Sequence, residues 1–134
     1  VAGANASVPM FTVVLRKGYG LGAQSMAGGS FHTPMFTVGW PSSEFGGMGL
    51  EGAVKLGYRN ELAAIEDPVE RKAAFDKRVA GMYDQGKALS AAALFELDDV
   101  IDPADTRRWL LAGLRSLPPK APRTGKRRAW VDTW

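Results

Sequence analysis

Apolar residues in this 134-residue chain follow two regimes. From Pro9 to Leu15 they form a short run rich in β-branched and aromatic side chains, Pro-Met-Phe-Thr-Val-Val-Leu, closed by Arg16-Lys17-Gly18. A helix of that size needs polar positions at a spacing of about 3.6 residues, so the run predicts a buried strand. Gly18-Tyr-Gly-Leu-Gly22 predicts a glycine-rich turn, and Ala23 to Ala27 a short helix ended by Gly28-Gly29. Met35 to Gly39 predicts a second strand, stopped by Trp40-Pro41. Strand, turn, helix and strand in this order make a β-α-β unit with a short crossover.

Beyond residue 57 the period changes. Gly47-Met-Gly-Leu-Glu51 opens a helix whose apolar positions Leu50, Val54, Tyr58, Leu62 and Ile65 step by three or four. Asp67-Pro-Val-Glu70 ends it and starts the next. Asp at the N-cap accepts backbone N–H bonds, Pro suits the first helical position, and a Glu three residues after the cap closes a capping box. Asp102-Pro-Ala-Asp105 repeats the device ahead of Thr106 to Leu117. Between the two signals, Val69 to Leu89 predicts a charged helix with one face in solvent or against a partner, and Phe95 to Ile101 a short extended segment. No Pro/Gly/Ser linker divides residues 1–117, so they read as one α/β unit, followed by a basic, proline-containing tail over 118–134.

Charge sharpens that division. The net charge of +3 comes from a tail with five basic residues and one acid, whereas residues 1–117 carry 12 basic and 13 acidic groups. Basicity is therefore no footprint of nucleic acid, and the body lacks the aromatic-and-basic platform that stacks bases. The absence of cysteine excludes disulfides, thiolate nucleophiles and Cys-ligated zinc, and fits a reducing, cytoplasmic location. The longest apolar run, Val8 to Leu15, is far short of the ~20 residues of a membrane span, and Val1 opens no signal-peptide pattern.

Side-chain catalysis has little to work with. The single histidine, His32, has no companion ligands at metal-binding spacing and no Ser/Asp pattern around it, so a structural or packing role is expected. Asp102 is a cap; Asp98 and Asp99 are expected to be structural, Arg16 and Lys17 to anchor a loop, and Trp130 and Trp134 to dock on a surface. The informative feature is the glycine turn. A Gly-x-Gly-x-Gly stretch leading into a helix exposes backbone N–H groups at the positive end of the helix dipole. A phosphate suits it, and so does an oxyanion that develops in a transition state. The dinucleotide version is weakened because the second strand ends in Trp40-Pro41 where an acid for a ribose hydroxyl belongs.

Four ordered blocks then carry a resemblance: Val8-Pro-x-Phe-Thr-Val-Val-Leu-Arg-Lys-Gly-Tyr-Gly-Leu-Gly-Ala23, Phe36 to Pro41, Gly47 to Val54, and Asp98 to Arg107, with Val131-Asp-Thr-Trp134 as a matching end. The chain resembles the carboxyltransferase (β) subunit of biotin-dependent acyl-CoA carboxylases of the acetyl-/propionyl-CoA type. The resemblance implies part of a crotonase/ClpP-like carboxyltransferase domain, built of β-β-α units with C-terminal helices. Members of that family are several times longer and have two related halves, so residues 1–117 are expected to be the C-terminal part of the second half.

The implied chemistry moves a carboxyl group from N-carboxybiotin, on a partner carrier, to the α-carbon of an acyl-CoA, with no metal. Charge that develops on the biotin ureido oxygen and on the thioester is held by backbone amides, one pair from each half. Here the resemblance implies the amides of Leu21 and Gly22 for the biotin side, with Gly20, Ala23, Gln24, Met48 and Gly49 lining the pocket. It also implies the N-terminal half, a biotin carboxylase/carrier subunit and further copies in a hexamer as partners, and no activity from the segment alone. A non-catalytic assembly module, a decarboxylating relative and a dinucleotide-binding piece are the competing readings.

Overall fold

The computed structural model describes residues 8–119 with Pro122 and Gly125. The rest of the basic tail, Trp130 and Trp134 among it, lies outside the described residues. Two β-β-α units follow one another: β1 (Phe11–Val14), β2 (Lys17–Tyr19) and α1 (Gly20–Met26), then β3 (Phe36–Gly39), β4 (Glu44–Gly46) and α2 (Leu50–Gly57). Like strands pair with like. β1 runs parallel to β3 with Phe11 opposite Phe36, and β2 runs parallel to β4 with Lys17 opposite Glu44. Helices α3 (Arg59–Ala63), α4 (Pro68–Gln85) and α5 (Ala88–Ala93) lead to β5 (Asp99–Val100), a 3-10 turn (Pro103–Asp105) and α6 (Thr106–Ser116). β5 joins the far side of β3, so the larger sheet has the order β1-β3-β5.

The central strand β3 is buried at all four positions, as a strand covered on both faces must be. On one face Phe36, Val38 and Ile101 pack with Phe11, Val13, Trp109 and Leu110. The rings of Phe36 and Trp109 meet edge to face at 5.5 Å. Helix α6 comes this close because Gly113 faces the sheet: a β-carbon there would lie 2.6 Å from Phe11 Cε1. On the other face Val14, Phe45, Ala91 and Leu97 form a second cluster.

Four expectations are corrected. β1 is shorter and less buried than the run Pro9 to Leu15 suggests, with only Val14 buried, because it is an edge strand paired on one side. The stretch read as a glycine turn, with Arg16 and Lys17 as its anchor, is a strand as far as Tyr19: the Arg16 carbonyl accepts from the Glu44 N–H at 2.5 Å. The helix expected through Ile65 breaks at Tyr58, just after Gly57, although Leu50, Val54 and Leu62 are buried as the period requires. The helix expected from Val69 to Leu89 stops at Gln85, because Gly86 turns against β4; the Phe45 N–H donates to the Gly86 carbonyl at 2.7 Å.

Both caps form, with Val69 N–H on Asp67 Oδ1 at 3.0 Å and Ala104 N–H on Asp102 Oδ1 at 2.8 Å, the second opening the 3-10 turn ahead of α6. Among the described residues no helix is long and apolar enough to cross a membrane.

Candidate active site

The two β-β-α units place their helix starts side by side. β2 and β4 end together, with Tyr19 opposite Gly46. β2 runs directly into α1, and β4 reaches α2 through Gly47-Met48-Gly49. The carboxyl ends of parallel strands are where α/β folds collect ligands. The turns touch: Gly20 has φ +65°, and a β-carbon on it would lie 3.1 Å from the Gly47 carbonyl oxygen and 3.9 Å from Met48 Cα. Only glycine adopts that conformation freely at so close an approach.

The helix starts differ in charge. The first-turn N–H groups of any helix lack intrahelical acceptors. In α2 the first turn contains Glu51. The Glu51 carboxyl is held below the usual carboxylate range, first by its own backbone N–H and then by the Tyr83 hydroxyl, which donates to Oε1 at 2.8 Å. The positive end of α2 thus already has its anion. Helix α1 has no acid in its first turn and no side-chain cap. Leu21 is 79% exposed, and a β-carbon on Gly22 would meet nothing within 4 Å. The amides of Leu21 and Gly22 therefore sit in an open turn with a positive dipole and no carboxylate of their own.

Gln24 lines a cavity of about 310 Å³ with Phe31, Phe45, Gly46, Gly47 and Leu94. Met48 lines a neighbouring one of about 290 Å³, which shares Phe45, Gly46, Gly47, Gln85 and Gly86 with the first. Ala23 lies apart from both, on a groove of about 430 Å³ along the free edge of β1. Gly49 is the exposed N-cap of α2. The structure thus brings Gly20, Gln24 and Met48 around the Gly46-Gly47 hinge and sends Ala23 elsewhere.

Sequence reasoning missed that hinge, together with Phe45, Gln85 and Gly86. The signal available was glycine at positions where regular structure disfavours it, the Gly46-Gly47 pair and Gly86 within a helical pattern.

Beneath the turns lies a paired set of phenols and carboxylates. The Tyr19 hydroxyl donates to Glu44 Oε2 at 2.8 Å, tying β2 to β4 where α1 begins. Burial, then that hydrogen bond and the Glu44 charge, push the Tyr19 hydroxyl above the usual tyrosine range. The other candidates have structural partners or none. Asp98 Oδ2 accepts from the Thr37 N–H at 2.6 Å, and Asp99 Oδ1 from the Val100 N–H at 2.7 Å. His32 is exposed, 3.9 Å from Glu96.

The chain is 38% identical over 116 residues to the carboxyltransferase subunit of propionyl-CoA carboxylase from Haloferax mediterranei, a match that covers 86% of this chain and 22% of the relative. It is 37% identical to the methylmalonyl-CoA carboxyltransferase 12S subunit of Propionibacterium freudenreichii, of which it covers 21%. The chain therefore spans about a fifth of the length of these relatives. Among solved structures, a single-chain, multi-domain long-chain acyl-CoA carboxylase is similar at 58% identity and a TM-score of 0.68, over 82% of this chain and 10% of that one. The hexameric transcarboxylase 12S, with methylmalonyl-CoA bound, is similar at 33% identity and a TM-score of 0.72, over 96% of this chain and 25% of that one. These neighbours share the parallel β-β-α arrangement, which is the crotonase-like carboxyltransferase fold. The sequence pattern of the carboxyl transferase domain matches residues 1–128, and the chain belongs to that family.

Proposed function

We propose that this chain supplies the biotin side of a carboxyltransferase that moves a carboxyl group from N-carboxybiotin to the α-carbon of an acyl-CoA. One observation carries the reading: an uncapped, acid-free helix start at Gly20-Leu21-Gly22, against a glycine hinge, at the joint end of two parallel strands. Biotin, when carried in, supplies a carboxyl group whose departure leaves negative charge on the ureido oxygen. The donor set present fits that need, because oriented N–H groups stabilise an oxyanion without any proton transfer of their own. Each well-placed donor is worth about 3–4 kcal/mol in a transition state.

In this reading Leu21 and Gly22 donate, and Gly20 and the Gly46-Gly47 hinge fix their direction. Gln24, Met48 and Gly49 border the space where the carried group sits, and Ala23, on the same helix as Gln24, lines the groove along β1. Residues 1–117 act as the C-terminal part of a carboxyltransferase half, and residues 118–134 as a tail. The acyl-CoA and its own amide pair belong to the other half, supplied with a biotin carboxylase/carrier partner in a cytoplasmic oligomer. Mixing experiments test the division of labour. Labelled carboxyl transfer to an acyl-CoA is expected only when the 134-residue chain is assembled with a CoA-binding half. Transfer by the chain alone would contradict it.

A further inference from the structure

Between Thr106 and Val131 the chain carries eight basic residues and no acidic one. Three of them, Arg107, Arg108 and Arg115, stand on the outer side of α6 around a groove of about 410 Å³ floored by Leu111 and Ala112. Arg108 is engaged by Asp105 at 3.1 Å, whereas Arg107 and Arg115 have no carboxylate within salt-bridge distance among the described residues. Arg107 and Arg108 also lie in the first turn of α6, which contains no acid. Cations there oppose the helix dipole; Asp105 at the N-cap offsets this for Arg108, and Arg107 has no such partner among the described residues.

We propose that this outer face of α6 is a docking surface for an acidic protein segment, an amphipathic helix with carboxylates flanking an apolar side chain. Charge complementarity requires an anionic partner. The arrangement chooses among anions: Leu111 lies between Arg107, Arg108 and Arg115 on the groove, and the 54%-exposed Leu114 follows three residues on, the pattern of an apolar centre with an arginine-rich rim. A phosphate backbone has no use for that centre, and Trp109, the aromatic residue of α6, is turned inward against Phe36. The bulk of the apolar side of α6 is likewise spent on the sheet, which leaves too little apolar surface to enter a lipid layer.

The test uses the 134-residue chain, labelled, and three probes: a helical peptide with Glu residues at i, i+4 spacing about a leucine, a single-stranded oligonucleotide, and phosphatidylserine vesicles. Saturable, salt-sensitive binding of the peptide is expected, weakened about tenfold or more by Arg107→Glu with Arg115→Glu. Both arginines are exposed, so unchanged circular dichroism should accompany the loss. The neutral pair Arg107→Gln and Arg115→Gln should weaken binding in the same direction, and reversal of Arg127 and Arg128 should weaken it less. The proposal is overturned if the peptide fails to saturate, or if the tail variant abolishes binding while the α6 variants leave it intact. Displacement of the peptide by the oligonucleotide or the vesicles at lower concentration also overturns it.

Discussion

Gly20 and Gly22 sit on the same turn and obey opposite rules. Gly20, at φ +65° and pressed on the Gly47 carbonyl, admits no side chain without strain. Gly20→Ala should cost about 1–2 kcal/mol in urea unfolding. Gly22 has open space around it and lies within α1, so Gly22→Ala should be neutral or stabilise by up to about 1 kcal/mol. Equal losses at both would contradict this account of the turn. The spacing of these glycines was visible in the sequence, but which of them the backbone demands was not, since that depends on Gly47, 27 residues on.

Tyr19 gives a second check at this scale. Its raised folded-state pKa stabilises the protein fully below the ordinary tyrosine value of about 10, and that contribution is lost as pH rises through the folded value. Unfolding free energy should therefore fall above about pH 10, and fall less steeply in Tyr19→Phe. Parallel alkaline slopes would refute the assignment.

At the scale of elements, legibility tracked how local the cause was. The Asp67 and Asp102 caps, β1, β3 and the buried stripe Leu50, Val54, Leu62 follow from neighbouring residues, and the sequence reading placed them. β4 is three residues long and exists because β2 lies on one side and Gly86 on the other. Nothing within Glu44-Phe45-Gly46 announces a strand. The break in the long charged helix has the same origin, because a continuous helix would take the Gly86 carbonyl away from the Phe45 N–H.

Two substitutions separate local from tertiary effects. Asp67→Ala removes a cap and should cost about 1 kcal/mol. Gly113→Ala raises helix propensity yet drives a methyl to 2.6 Å from Phe11 and 2.8 Å from Phe36. Overpacking of this kind costs about 1–3 kcal/mol and should outweigh the propensity gain. A higher melting temperature for Gly113→Ala would show that α6 does not rest on the sheet as described.

At the scale of the whole molecule, the larger sheet has an open edge at β1 among the described residues, with a groove of about 430 Å³ along it, and the chain spans about a fifth of its relatives. The candidate turn lies within the described residues, whereas the proposed reaction assigns the acyl-CoA side to the other half. The resemblance across ordered blocks carried the family and its β-β-α plan further than composition did, since composition alone reads as one ordinary α/β domain. It could not place Ala23 and Gln24 on different cavities, because the direction in which each successive helical position faces is not carried by matching letters.

In the proposed reaction, backbone amides at Leu21 and Gly22, and no side chain of this segment, hold the charge. The most direct measurement is the rate of carboxyl transfer to an acyl-CoA by the assembled enzyme carrying either Leu21→Pro or Leu21→Ala. Proline in a first turn removes a donor while the helix is kept. It should lower kcat about a hundredfold or more and leave carboxylation of the biotin carrier and the circular dichroism unchanged. Alanine, which keeps the amide, should retain most of the rate. Transfer that survives the proline, or equal losses from both substitutions, would contradict the account.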